Sequence, residues 1–317
     1  MISTLFTPLL IVAGIVLLIT AALSPLETLS WWAGWSEDEI DVRAPSPTQA
    51  PTSPSNSSSH YVVYLSGISS ISGRFLVPRE KTFIKGLKAA LPNFVIIDDV
   101  FPYSPAGLGL LSGTRQFDRL WKRVQKLKLR GRASILSTLI KFRNLFQVMV
   151  SADHRYGPIY NRGAATAIEK ALLRSGYRPG SGATIVIIGY SGGAQVGVGA
   201  ATYLKARLLA PIEIISVGGV MASEPGLNFV RQLHHIVGSK DRVQKVGAIM
   251  FPDRWKAMAF SEWNVAKREG RIHRHNMSGI SHAGMRGYFG LPKYKGISNN
   301  QRTLEKIVSL LNDTKAV

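Results

Sequence analysis

Five short runs constrain this chain more than any other feature: Tyr61–Leu65, Phe94–Val100, Ala183–Ile188, Ile212–Val217 and Leu233–Val237. Each is apolar throughout or nearly so. A strand with no polar side has none to show to water, so it must be covered on both faces. The stretches between them, such as Lys81–Ala90, Ala164–Arg174 and Ala194–Leu209, have helical length and composition. Parallel neighbours need long crossovers, and helices supply them. The expected fold is therefore α/β, a mostly parallel sheet with helices on both faces. The sequence shows no internal repeat.

The region before Tyr61 is of another kind. No side chain from Met1 to Leu26 is charged, and Leu9–Leu23 is almost wholly aliphatic. About 20 such residues cross the roughly 30 Å hydrocarbon core as a helix. Residues 1–30 are accordingly expected to form a transmembrane anchor. The alternative is a cleaved signal peptide, with Ala21 and Ala22 near the processing site. Such peptides usually open on Lys or Arg, and here the first basic residue is Arg43. Trp31, Trp32 and Trp35 stand where an aromatic belt would lie, followed by Glu37, Asp38, Glu39 and Asp41. The positive-inside rule then favours a single-pass protein with its domain on the non-cytoplasmic side. Residues 31–59 form a tether that becomes rich in Pro, Ser and Thr from Ala44 onward, with almost nothing to bury. The folded domain is expected to span 60–317.

Cysteine is absent, which removes disulfides, thiolate metal sites, a cysteine nucleophile and a lipid-modified cysteine anchor. The net charge of +20 calls for an anionic partner without naming it.

The strongest chemical signal is Gly189-Tyr190-Ser191-Gly192-Gly193, a G-x-S-x-G pattern directly after an apolar run and directly before a helical segment. A sharp strand-to-helix turn requires small residues beside its apex, since a side chain there would strike the neighbouring backbone. Gly189 and Gly193 meet that need. The turn would expose the Ser191 hydroxyl, and the Gly192 amide at a helix N-terminus would face a developing oxyanion. The bland alternative is a glycine-rich turn, although neither a dinucleotide fingerprint nor a Walker pattern is present.

On these residues, His60 to about Leu311 resembles the α/β-hydrolase superfamily of lipase- and esterase-like serine hydrolases, whose chain order is Ser, then Asp or Glu, then His. That resemblance implies an acid at the end of a later strand. His235-Ile236-Val237-Gly238-Ser239-Lys240-Asp241 suggests Asp241, with Asp253 in reserve. As a local feature, Asp241 would instead cap a helix or pair with Arg242. The implied base is His282 in the small-residue loop Ser278–Gly284, with His275 as the alternative. The second oxyanion donor would come from the loop Ser66–Ser70, where the Ile68 amide is the choice; an ordinary β-to-α turn would look the same. His234 and His235 fall in an expected strand. His273 and His275, with Arg271 and Arg274, read as a basic surface face. A His-x-His metal pair would need further ligands that the sequence does not identify. No metal and no cofactor is expected. The family's first two strands have no counterpart before Tyr61.

Residues 104–160 are too long for a simple crossover. Ten Lys and Arg between Arg115 and Arg143 are interleaved with Phe117, Trp121, Leu127, Ile140 and Phe142, against one acid, Asp118. A basic amphipathic helix pair of this kind suits an anionic bilayer, each base adding about 1 kcal/mol near the surface. A solvated face over a core helix is the plain alternative. Nucleic acid is disfavoured, since no recognised binding module is present. The functional expectation is a membrane-anchored serine hydrolase cleaving an acyl ester, of lipid or thioester type. The alternative is a non-catalytic anchored module that binds an anionic membrane or an acidic partner.

Overall fold

The computed structural model describes residues 60–70, 76–103, 134–291, 293, 294 and 296–313, together with Ile15. Apart from Ile15, the expected anchor (1–30), the tether (31–59) and the first part of the insertion (104–133) lie outside the described residues. Among the described residues, no helix is long and apolar enough to cross a membrane.

The chain runs β1 (His60–Leu65), α1 (Pro78–Ala90), β2 (Val95–Ile97), α2 (Ser134–Ala152), α3 (Gly157–Arg174), β3 (Thr184–Tyr190), α4 (Gly192–Leu208), β4 (Ile212–Val217), β5 (Val230–Gly238), α5 (Val243–Met250), α6 (Glu262–Arg268), β6 (Ile272–Met277), a short β7–β8 ladder (Lys293–Tyr294, Ile297–Ser298) and α7 (Asn299–Asp313). The main sheet has the order β2-β1-β3-β4-β5-β6. Every pair in it is parallel.

Alternation along the strands explains the two cores. Val63 and Leu65 of β1 join Ile185 and Ile187 of β3 on one face, under Ile168 and Leu172 of α3 and Val198 and Leu204 of α4. Val62 and Tyr64 join Val186 and Ile188 on the other, under Phe83 and Leu87 of α1 and Ile307 and Leu311 of α7. Successive residues thus feed opposite layers, as the period of two requires. The result is helix, sheet, helix.

Two elements differ from the sequence expectation. β2 pairs over only three residues, Val95–Ile97. Asp98 and Asp99 follow at once and turn to Lys88 and Arg174 at 2.9 and 3.2 Å, so the strand ends in a charged edge. β6 was not expected, because Ile-His-Arg-His-Asn-Met has too little apolar pattern. It is an edge strand held on one side by β5, and an edge needs only partial burial.

The strand order fixes where a site can form. From β1 the chain steps outward to β2 and then returns to the opposite side of β1 as β3. The loops leaving the carboxyl ends of β1 and β3 therefore diverge and leave a crevice between them, the position at which open α/β sheets hold their ligands. Ser66–Ser70 leaves β1 there, and Ser191 leaves β3.

Candidate active site

The turn from β3 into α4 is tight. Ser191 has φ +53° and ψ −120°, a backbone state that residues with a side chain rarely adopt. Its amide donates to the Val217 carbonyl at 3.0 Å, which ties the turn to the end of β4. The flanking glycines are required by contact. A Cβ on Gly189 would lie 2.4 Å from the Ala194 Cα, and one on Gly193 would lie 2.5 Å from the Leu65 carbonyl oxygen. Both obstacles are backbone and cannot swing aside.

The late histidine reaches this turn. Ser191 Oγ and His282 Nε2 are 2.9 Å apart. His282 Nδ1 and Asp241 Oδ2 are also 2.9 Å apart. Asp241 is fully buried. Its Oδ2 also accepts from the Tyr288 hydroxyl at 2.7 Å, and its Oδ1 accepts from the Val243 and Gln244 amides at 2.9 and 3.1 Å. Burial pushes the carboxyl up. The hydrogen bond and charge of His282, the Tyr288 hydrogen bond and the Gln244 amide pull it down by more, so Asp241 titrates below its ordinary value. An ionised Asp241 only accepts, which assigns the proton to His282 Nδ1 and leaves Nε2 free to accept from Ser191. The two readings of Asp241 coexist, since one oxygen holds the imidazole while the other satisfies the first amides of α5.

Two tyrosines lock this arrangement. Burial, followed by the Asp241 charge, pushes the Tyr288 phenol well above its usual range, so it keeps its proton and donates. The same oxygen accepts from the Gly238 amide at 2.7 Å. Tyr190, beside the candidate nucleophile, stacks on the His282 ring with centroids 5.8 Å apart, and its hydroxyl donates to the His282 carbonyl at 2.8 Å. The Tyr190 ring occupies this position because residue 67 is glycine; a Cβ there would come within 2.7 Å of the ring.

The Ser66–Ser70 loop lies against the start of α4. The Ile68 Cγ2 is 3.2 Å from where a Gly192 Cβ would stand. The loop is held from above by α2: the Asn144 side-chain amide donates to the Ile68 carbonyl at 2.9 Å and to the Ser70 carbonyl at 2.8 Å. Tyr103 donates to the Ser66 carbonyl at 2.6 Å, and Arg143 donates to the Tyr103 carbonyl at 2.9 Å.

The reserve candidates are elsewhere. Asp253 pairs with His154 at 3.3 Å rather than with His282. His275 lies in β6, and its Nε2 is 3.1 Å from His234 Nδ1. The expectation of a basic face at His273 and His275 needs correction. Both rings are half-buried beside His234, whose pKa is pushed down to about 4 by burial first and then by His275, His273 and Lys306. Burial also lowers His275. His235 is packed inside against Trp263, as its place in a central strand demands. Among the described residues, no group of three or more His, Asp or Glu is placed to hold a metal.

The described half of the insertion is α2 and the start of α3, and Ile140, Val148 and Val150 of α2 are buried. In α2 the buried side includes the amides Asn144 and Gln147 with Ser151, while Phe142 and Leu145 face outward beside Lys141. The inward polar groups serve the loop and the neighbouring helix, where Ser151 donates to Asn161 at 2.6 Å.

Sequence reasoning missed Asn144, Tyr103, Tyr190 and Tyr288. Tyr190 alone had a signal, as the residue before the serine in the turn pattern.

No known protein family matches the sequence, and neither does any curated protein. Among solved structures, the chain is similar to the dienelactone hydrolase-like promiscuous phosphotriesterase P91 from metagenomic libraries, at 14% identity and a TM-score of 0.41, covering 80% of this chain and 85% of that one. It is similar to Arabidopsis thaliana SOBER1 F65L at the same identity and TM-score, covering 80% of this chain and 98% of that one. The chemistry of the site follows from its own geometry.

Proposed function

We propose that this chain is a serine hydrolase that cleaves an acyl ester, with Ser191 as nucleophile, His282 as base and then acid, and Asp241 as the group that orients His282. One observation carries the reading: a turn of strained backbone, with Ser191 only 6% exposed, holds the Ser191 hydroxyl at 2.9 Å from an imidazole whose far nitrogen meets a buried carboxylate at 2.9 Å. A hydroxyl is a poor nucleophile until a base removes its proton, and this alignment provides one.

As Ser191 Oγ bonds to the acyl carbon, its proton passes to His282 Nε2 and the carbonyl oxygen becomes an oxyanion. The amides of Gly192 and Ile68 are the assigned donors to that oxyanion. The imidazolium, stabilised by Asp241, returns the proton to the departing alcohol or thiol, and an acyl-serine remains. Water then attacks the acyl carbon, again with His282 taking and returning the proton. The carboxylic acid is released and the Ser191 hydroxyl is restored.

The apolar segment 1–30 supports an attachment to a membrane with the domain on its non-cytoplasmic side, which suits a substrate carrying a lipid chain. A fluorophosphonate probe tests the chemistry directly. The intact protein is expected to be labelled, and Ser191→Ala to abolish labelling. Labelling that survives this change, or none at all on folded protein, would refute the assignment in favour of a non-catalytic module. Product analysis then separates hydrolysis from transfer to another acceptor.

A further inference from the structure

The segment after Asp241 is exposed in an unusual way. In α5, only Gln244 and Gly247 are buried, while Val243, Val246, Ile249 and Met250 face solvent, Ile249 at 71%. The chain then stays at the surface through Trp255, Met258 and Phe260, the last at 94% exposure. Large apolar side chains scattered singly are ordinary, but seven within 18 residues (243 to 260) form a continuous apolar stretch that a monomeric surface rarely carries.

Its position is fixed by contacts. Asp241 receives the first amides of α5. Gly247 packs on Val220 and Met221, just beyond β4, and Arg254 donates to the Met221 carbonyl at 2.8 Å. The face therefore lies at the carboxyl end of the sheet, the end that carries Ser191.

Its charge selects the occupant. Lys240, Arg242, Lys245 and Lys256 stand exposed among the apolar side chains, and none is in an ion pair among the described residues. The acids of this stretch are engaged, Asp241 inside the site and Asp253 with His154. The chain's own segment 104–133 holds eight Lys and Arg against one acid, so like charges oppose its seating here. A second copy brought face to face would meet the same repulsion. Apolar side chains interleaved with unpaired bases match the headgroup boundary of a negatively charged bilayer, where the former enter the acyl region and the latter meet phosphates.

We infer that α5 and residues 251–260 form a docking face for an anionic lipid bilayer, which brings the crevice beside Ser191 against the membrane. The inference deepens the membrane part of the proposed function, but it does not depend on Ser191 being a nucleophile. The reach is sufficient. Residue 59 precedes β1 at the amino end of the sheet, and 29 residues (31–59), with the coil character expected from their composition, would span about 30 Å, enough to let the domain turn its other end toward the lipid.

The absence of cysteine makes the test direct. Single spin labels are placed through Ala248→Cys or Ala257→Cys, and a control through Arg231→Cys at the start of β5. The full chain is reconstituted in phosphatidylcholine vesicles with or without phosphatidylserine, and collisions with oxygen and with a water-soluble nickel chelate are compared. At positions 248 and 257 the oxygen-to-nickel ratio should rise several-fold on adding phosphatidylserine, while position 231 stays water-like. Reversing Lys240, Arg242 and Lys245 to Glu should cancel the rise with the unfolding midpoint unchanged. Water-like labels at 248 and 257 in anionic vesicles would overturn the inference. So would protection that is indifferent to lipid charge, which points to the chain's own segment, or spin–spin broadening, which points to a second copy. Loss of fluorophosphonate labelling would sink the Ser191 assignment and leave this result standing.

Discussion

Replacing Ser191 by glycine should stabilise the protein relative to replacing it by alanine, the reverse of the usual order. Both changes remove the hydroxyl and its contact with His282, and both abolish the proposed chemistry. Neither removes a helix cap, since the Ser191 side chain makes no capping hydrogen bond to α4. They differ only in the backbone. At φ +53° and ψ −120° any Cβ is crowded, and such a conformation costs about 1–3 kcal/mol. Alanine keeps that cost and glycine relieves it. Glycine in turn loses about 0.5–1 kcal/mol through its freer unfolded chain. Taken at their centres, about 2 against about 0.75 kcal/mol, the two terms favour Ser191→Gly by about 1 kcal/mol, which is roughly 2–4 °C in unfolding midpoint for a domain of this size. Urea and thermal unfolding of the two variants, both inactive, measure it without interference from turnover. If Ser191→Ala proves as stable as Ser191→Gly, the turn from β3 into α4 stores no strain and the account of it is wrong.

Tyr288→Phe removes one of four hydrogen bonds to Asp241 and strands the Gly238 amide, so stability should fall by about 2–4 kcal/mol. Its effect on ester turnover should stay within about tenfold, whereas Asp241→Asn, which reverses the imidazole's tautomer, should cost about 10⁴-fold in kcat; equal losses in both would show Tyr288 acting in the reaction itself. Asn144→Ala frees the Ile68 and Ser70 carbonyls, and steady-state kinetics should show kcat falling about 10- to 100-fold with KM little changed, as expected for a donor needed only in the transition state. Glu224 is buried against Gln195, and burial raises its pKa to about 7 from an ordinary 4.5. The folded state therefore binds this proton more tightly than the unfolded chain, so its contribution is complete below about pH 4.5 and is lost as pH rises through about 7. Glu224→Gln should flatten the stability profile across that window and gain on the order of 3 kcal/mol at pH 8; an unchanged slope in urea titrations would refute the assignment.

What the sequence disclosed and what it hid divide along a physical line. The turn at Ser191 was legible because its requirement is local: two glycines must sit within two residues of the apex, directly after an apolar strand. Asp241 and His282 became legible only through the chain order that the family resemblance implies, Asp241 after an expected strand and His282 in a small-residue loop near the end of the chain. Tyr288 and Asn144 carried no such signal. Their partners lie 47 and 74 residues away, and no pattern of spacing marks a phenol or an amide that will meet a carboxylate or a carbonyl across the fold. β6 was hidden for a different reason. An edge strand owes half its surface to water, and Arg274 and Asn276 in alternate positions left too little hydrophobic contrast to distinguish it from a loop. In α2 the sequence did not separate the outward Phe142 and Leu145 from the buried Ile140 and Val148, because that helix also spends inward amides on a neighbouring loop.

That inward use of amides bears on what a smaller version of this protein would be. The stretch between β2 and α3 looks dispensable, an ornament added to a finished sheet. Yet Asn144 grips two carbonyls of the loop that stands beside Ser191, and the Val148 side chain fills the space over Gly192. Cutting the ornament away would leave serine, histidine and aspartate in line over a doorway with no lintel.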